Sequence, residues 1–349
     1  MAVESLSLRE LEEEARRRLD PAVYDFFAGG AEDEVTVRAN ETAFAQIGLV
    51  PRVLRGVRTR ELAVTLLGRR AAQPVVIAPT AFHRLAHPDG ELATARAAAK
   101  AGVIMILSMA STVPVEEIAA SGADLWFQLY VQPDLGFTQS IVRRAEAAGC
   151  AALVVSVDSP VFGRRERDLR NGFLDLPPGL ACAHMDGRAI AFRSDLSWDH
   201  IDWLRSVTAL PIVLKGVVHP EDARLAVERG IDALAVSNHG GRQLDTVPAT
   251  IELLPRVADA VGGAVPLLLD GGVRRGTDVL KALALGADAV AVGRPVLWGL
   301  AVDGEDGVAR MLDLLRGELD LALALCGCCS PREVSPELIW RKGCSRCSS

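Results

Sequence analysis

From residue 74 onward the chain alternates between two hydrophobic rhythms. Short unbroken apolar runs occur at 74–78, 103–107, 125–131, 152–157, 212–215, 233–237, 267–270 and 289–293. Runs of this length predict buried strands. Between most of them apolar residues recur at helical spacing, over 91–101, 138–148, 220–229, 251–261 and 277–285. Several of these segments stop at a glycine, namely Gly102, Gly149, Gly230 and Gly286, a usual C-terminal helix signal. Eight strand–helix units in one chain predict an α/β protein of the (β/α)8 TIM-barrel class. A doubly wound sheet is the competing architecture, but no Gly-x-Gly-x-x-Gly follows an early strand. Ahead of the barrel, residues 7–30 predict two short helices, broken by Pro21 and ended by Gly29-Gly30. Residues 31–72 predict an irregular cap with short strands. The expected organisation is one domain: a cap over 1–72, a barrel over 73–325, and a cysteine-containing tail over 326–349.

Composition narrows the setting. The 349 residues are half apolar but only 5% aromatic, as in a packed α/β protein. A formal charge of −7 argues against nucleic acid as a partner. The first twenty residues are charged and helical in pattern rather than a signal peptide. No apolar run reaches the roughly 18–20 residues of a membrane span. Seven cysteines are too few and too unevenly spread for a disulfide scaffold. The expectation is a cytoplasmic protein with no membrane partner. Cys326, Cys328, Cys329, Cys344 and Cys347 include one Cys-x-x-Cys, but no histidine joins them and no metal is expected.

In a barrel, catalytic groups sit where strands run into loops, and the unusual polar residues fall there. Strand one ends in Pro79-Thr80-Ala81 and strand two near Ser108. Strand three carries Gln128 and Tyr130; strand four runs to Ser156, Asp158 and Gly163-Arg164-Arg165. Strand five ends at Lys215-Gly216, and strand six at Ser237-Asn238-His239-Gly240-Gly241-Arg242. That last stretch places an imidazole able to take a proton near neutral pH three residues from a guanidinium able to grip a carboxylate. One loop could therefore anchor an acid and deprotonate it. Strands seven and eight end in Asp270-Gly271-Gly272-Val273-Arg274 and Gly293-Arg294. Glycine-rich loops at helix starts, with two arginines, predict a phosphate-bearing ligand or cofactor. On the residues alone, Tyr24 reads as a half-buried core tyrosine.

Together these stretches, with Ala86-His87-Pro88-Asp89-Gly90-Glu91 and Val157-Asp158-Ser159-Pro160, resemble the FMN-dependent α-hydroxy-acid oxidases and dehydrogenases. That family includes glycolate oxidase, lactate oxidase, lactate dehydrogenase and the mandelate and hydroxymandelate enzymes. The likeness runs from about Tyr24 to about residue 330. It implies oxidation of an (S)-2-hydroxy acid to the 2-keto acid. His239 would remove the substrate hydroxyl proton as hydride leaves Cα for flavin N5, or, in the family's older carbanion alternative, take the Cα proton. Arg165 and Arg242 would clamp the carboxylate, with Tyr24 assisting. Tyr130 would contact the hydroxyl or the forming keto oxygen, and Asp158 would support the His239 imidazolium. Lys215 would stand by flavin N1–C2=O. Pro79, Thr80, Ala81, Ser108, Gln128, Ser156 and Ser237 would hold the flavin ring. Asp270, Gly272, Arg274, Gly293 and Arg294 would hold the phosphate end. Resemblance also implies a homo-oligomer, a tetramer.

Two departures shape the expected substrate and acceptor. Ala110 stands where glycolate-oxidase-like sequences place a tryptophan, so a substrate larger than glycolate is expected, aliphatic or aromatic. The segment 171–197 is short, with Pro177-Pro178-Gly179 and no amphipathic insert, which favours O2 as acceptor and H2O2 as product. A dehydrogenase using another acceptor, a mandelate-type oxidase and a non-catalytic flavin barrel are the alternatives. A barrel of the IMP-dehydrogenase kind would want a cysteine in its active loop, and Ser237–Asp245 has none. His83, His184, His200 and His219 are expected at the surface or in loops, and the tryptophans in packing roles.

Overall fold

In the computed structural model, which describes residues 5–173 and 175–341, the eight apolar runs form a closed barrel of parallel strands. These are β1 (Val75–Ile77), β2 (Ile104–Ser108), β3 (Asp124–Leu129), β4 (Leu153–Ser156), β5 (Ile212–Lys215), β6 (Ala233–Val236), β7 (Leu267–Asp270) and β8 (Ala289–Val292). They neighbour one another in chain order, and β8 closes on β1 with Ala291 beside Val76. The strands are covered on both faces, so they read as continuous apolar runs rather than alternating ones. Inside the barrel the buried Trp126 packs among Val76, Ile104, Ile106, Val154, Val213 and Leu268. Ala152, Ala233, Ala235, Ala289 and Ala291 make room for that one indole.

The five helices read from spacing are present at Gly90–Ala101, Leu135–Ala147, Pro220–Glu228, Thr250–Val261 and Gly276–Ala284. A final helix, Arg294–Cys326, bends at Asp303-Gly304 and packs on Gly90–Ala101 and on the first cap helix. That first helix, α1 (Leu8–Arg18), starts at Ser7, whose Oγ accepts the Glu10 N–H at 3.2 Å. The second, α2 (Pro21–Ala28), opens with Pro21 in its first turn, where a missing N–H costs nothing.

The cap holds one element the sequence did not suggest, α3 (Val35–Ala45). Its preceding residue, Glu34, gives no side-chain cap. Asp245 supplies the cap from far along the chain, accepting Val35 N–H at 3.1 Å and Thr36 N–H at 2.8 Å. Helix α3 thus rests on the His239 loop. Beyond residue 326, Ile339–Arg341 pairs antiparallel with Ile47–Leu49, so the tail is stitched back to the cap. Cys326 and Cys328 are buried; the Cys344–Cys347 pair lies outside the described residues.

Candidate active site

A cavity of about 670 Å³ opens at the C-terminal ends of the strands. Helix α2 forms part of its roof, and two half-buried arginines hold it there. Arg242 Nη1 donates to the carbonyls of Phe26 at 2.7 Å and Gly29 at 2.8 Å. Arg294 donates from Nε to Phe27 and Ala28, at 3.0 and 3.1 Å, and from Nη2 to Gly29 at 2.8 Å. The last carbonyls of a helix lack internal partners and carry its negative end, so they suit cations. Burial, with Arg165 and Arg294 nearby, pulls Arg242 well below the usual arginine range. Burial, with Arg274 nearby, brings Arg294 down to about 10. Two desolvated cations thus stand ready for an anion. Arg165 faces the same space, its guanidinium 4.8 Å over the Phe162 ring and its Nε buried without a partner.

His239 sits between two groups. Its Nδ1 is 2.9 Å from Asp158 Oδ1, and its Nε2 is 3.3 Å from the Tyr130 hydroxyl. Asp158 can only accept when ionised, so Nδ1 carries the proton and Nε2 presents its lone pair. Ser159 donates to the same Asp158 oxygen at 3.1 Å. Gly216 makes the fit possible: it has φ +109, and a Cβ there would lie 2.5 Å from that of Asp158. Burial lowers the pKa of His239, only partly opposed by Asp158, so the ring is neutral at pH 7. Burial works against ionised Asp158, but His239, Lys215 and Ser159 outweigh it and hold the carboxyl low. Tyr130 is pushed up to about 12 by burial and by the charge of Asp158, so it keeps its proton. Lys215 Nζ lies 2.9 Å from Asp270 Oδ2 and 2.9 Å from Ser237 Oγ. Burial alone would lower Lys215, but Asp270 and Asp158 raise it and keep it cationic.

The other end of the cavity suits a ligand that carries hydroxyls and a phosphate. Asp270 Oδ1 and Arg274 Nε are buried with no partner, an acceptor and a donor left open on one wall. Gly271, Gly272 and Gly293 line that wall with bare backbone. At Gly272 a Cβ would stand 1.9 Å from the Asn40 carbonyl oxygen, so no side chain can occupy it. Arg274 also pairs with Glu41 at 2.6 Å, which ties this end to α3.

Of the expected residues, Pro79, Thr80, Ala81, Ser108, Ala110, Tyr130, Ser156, Arg165, Lys215, His239, Arg242, Asp270, Gly272, Arg274, Gly293 and Arg294 line one cavity. Asp158, Gln128 and Ser237 stand behind its wall. Gln128 uses its polar atoms within the protein, accepting from Ser108 Oγ at 3.1 Å and donating to Ser156 Oγ at 3.1 Å. It orients two serines of the cavity wall. Tyr24 is a correction. Its hydroxyl donates to Glu12 at 3.2 Å, and its ring stacks on Trp298 at 5.3 Å, away from the cavity. Two residues along a helix is a turn of about 200°, so it is Phe26 that faces inward. His184 lies in a loop and His83 in a short 3-10 turn, but neither is at the surface: both are buried, and both ring nitrogens of each find partners inside.

Sequence reasoning missed the aromatic wall. Phe26, Phe27, Phe82, Phe162, Phe173 and Phe192 line the cavity, six of the nine phenylalanines in the chain. Phe26 contacts Phe82 and Phe173 with centroids at 5.7 and 4.8 Å, and Phe192 meets Tyr130 at 5.0 Å. The signal was present, since so few aromatics in a long chain invite the question of where they gather. Asn40 was also missed; its side chain exchanges two hydrogen bonds with Asn238, both 2.9 Å, and braces the His239 loop.

A barrel with a base, paired guanidinium groups and a phosphate-sized glycine cradle at its mouth defines a cofactor-dependent enzyme acting on an organic acid. The profile of the FMN-dependent dehydrogenases matches residues 15–341, and the chain belongs to that family. Glycolate oxidase 3 of Arabidopsis thaliana is 49% identical, over 95% of either chain. An L-lactate oxidase of Nostoc sp. is 46% identical, over 96% of this chain and 98% of its own. The crystal structure of mandelate oxidase with (S)-2-phenylpropionate superposes with a TM-score of 0.92 at 46% identity, covering 97% of this chain and 98% of that one. The cofactor is FMN.

Proposed function

We propose that this enzyme oxidises an (S)-2-hydroxy acid bearing a large apolar, preferably aryl, side chain, and that O2 takes the electrons to give H2O2. The concentration of phenylalanines around the cavity, with the small Ala110 among them, carries the side-chain assignment. Aromatic walls favour an aromatic guest by burial and by edge or offset contacts. The names of the relatives, glycolate, L-lactate and mandelate oxidases, support the reaction class.

Arg165 and Arg242 bind the carboxylate and fix the orientation of the acid. The substrate hydroxyl then lies near Tyr130 and His239, whose facing atoms are 3.3 Å apart. His239 takes the hydroxyl proton at Nε2, and Asp158 stabilises the resulting imidazolium through Nδ1. Tyr130, still protonated, donates to the oxygen as it becomes a carbonyl. FMN, when bound, supplies the two-electron acceptor. Lys215 adds a fixed cation to the cavity wall, which stabilises negative charge developing beside it. Phe26, Phe82 and Phe173 help to exclude water.

Purified enzyme mixed with (S)-mandelate in the absence of oxygen loses its yellow colour, and in air forms peroxide in step with keto acid. A yellow protein that bleaches only with glycolate would overturn the side-chain assignment; keto acid without peroxide would overturn the acceptor. Ala110→Trp depresses turnover of mandelate much more than that of glycolate, by at least about ten-fold in relative kcat/KM, the size of a steric clash in a packed pocket. Equal losses on both acids would refute the steric account.

A homo-oligomeric state and a cytoplasmic setting are part of the same proposal. Exposed Val50 and Trp340 flank the pairing of the cap strand with the terminal strand, and Val53 and Leu54, also exposed, follow in the chain, apolar surface suited to a second copy. Sedimentation of the purified enzyme as a monomer would contradict the first.

A further inference from the structure

Segment 175–192 contains no helix or strand, yet much of it lines the cavity, including Leu176, Leu180, Cys182, Ile190 and Phe192. Something other than secondary structure must hold this wall in place. At its centre lies His184, fully buried. Val115 N–H donates to its Nε2 at 2.9 Å, and its Nδ1 is 3.2 Å from the Met109 carbonyl. Each backbone partner can play only one role, so the ring must be the neutral Nδ1–H tautomer. The ring also meets Phe127 edge-on at 5.1 Å. Both partners belong to the stretch just after β2, which also contributes Ala110 to the cavity. Ala183 N–H donates to Ser111 at 2.9 Å beside it, and Ala191 N–H to Gln132 Oε1 at 3.1 Å further along.

We propose that His184 is a positioning residue for the substrate side-chain pocket, its neutral imidazole pinning segment 175–192 to the backbone after β2. The assignment rests on the reading of that pocket as the seat of an apolar side chain. Protonation would set a second N–H against that of Val115 and undo the pin. The charged groups around the ring come from every element packed on it. They are Glu116 of Val115–Ala119, Arg144 of Leu135–Ala147 and Glu91 of Gly90–Ala101, with Asp186 of its own segment 3.7 Å from Arg144. Burial dominates and favours the neutral ring; the Met109 carbonyl and the two glutamates oppose it. The pin therefore holds at neutral pH and loosens on acidification.

The FMN-loaded enzyme, with His184→Phe and His184→Gln, tests this by hydrogen exchange and by kinetics. Phenylalanine keeps the ring volume but neither polar atom. Glutamine keeps an acceptor for Val115 N–H and cannot take up a proton in this range. In the wild type, amide protection across 175–192, corrected for intrinsic rates, falls at least about ten-fold between pH 8 and pH 5, as expected for a buried histidine gaining a proton. In His184→Gln protection stays nearly flat with pH. In His184→Phe it is low at both, and KM for (S)-mandelate rises about ten-fold while kcat changes less than about two-fold, the mark of lost binding rather than lost chemistry. Wild-type protection that does not change with pH, or a Gln variant that follows the wild type, overturns the pin. The wild-type and Gln arms decide the matter even if the Phe variant fails to fold. Pinning that passes the exchange arms while KM for mandelate and glycolate shift equally supports the pin and overturns the aryl reading instead.

Discussion

Replacing His239 with glutamine lowers kcat by roughly 10²–10⁴-fold, the range for loss of a positioned general base, while the protein remains yellow. The cofactor is retained because His239 meets the cavity only at its reacting end; the phosphate wall of Asp270, Gly272 and Arg274 is untouched. Stopped-flow reduction of the flavin by substrate isolates the affected step. A variant that reduces within ten-fold of the wild-type rate, by the same scale, would remove His239 from the chemistry. The pH profile adds a signed test. The base must be neutral, and burial lowers its pKa from 6.5, so kcat/KM rises with pH through a limb below that value and is flat above it. Asp158 raises the pKa of His239, so Asp158→Asn moves the limb further toward acid even as it lowers the plateau. A limb that moved toward alkali would contradict the pairing.

Arg165→Met lowers kcat/KM by roughly 10²–10³-fold, about what truncating a desolvated charge that meets an anion costs. The thermal midpoint of the free enzyme should hold or rise, because the half-buried Arg165 has its guanidinium desolvated with no carboxylate paired to it, and its Nε is unsatisfied. Arg242→Met behaves differently. Arg242 also donates to Phe26 and Gly29 and lies 5.1 Å over the Phe26 ring, so its loss weakens the hold on α2 as well as on substrate. Comparing the two by calorimetry and steady-state kinetics separates binding from architecture. A large drop in melting temperature for Arg165→Met would mean that this residue is structural.

The barrel was legible because its strands are buried on both faces and punctuated by glycines, signals that are local in the sequence. Most of the site was legible because it sits at strand ends, a place the barrel fixes in advance. What was not legible depended on distance or rotation. Helix α3 takes its cap from Asp245, so nothing near Val35 announced it. Tyr24 carried the expected side chain, but α2 turns it toward Glu12 and Trp298 and presents Phe26 instead. His184 looked like an ordinary loop residue, because backbone groups of a different strand exit satisfy it. Asp158 could be named from the chain, but its contact with His239 had to be seen.

The hold of Arg294 on α2 has a consequence for biosynthesis. The roof helix is made before the barrel, and the arginine that grips its end arrives 267 positions later. Until β8 has left the ribosome, the early helices have nothing to close over. Capture of flavin should therefore fall after translation of the barrel, and a nascent chain stalled ahead of Arg294 should bind no colour.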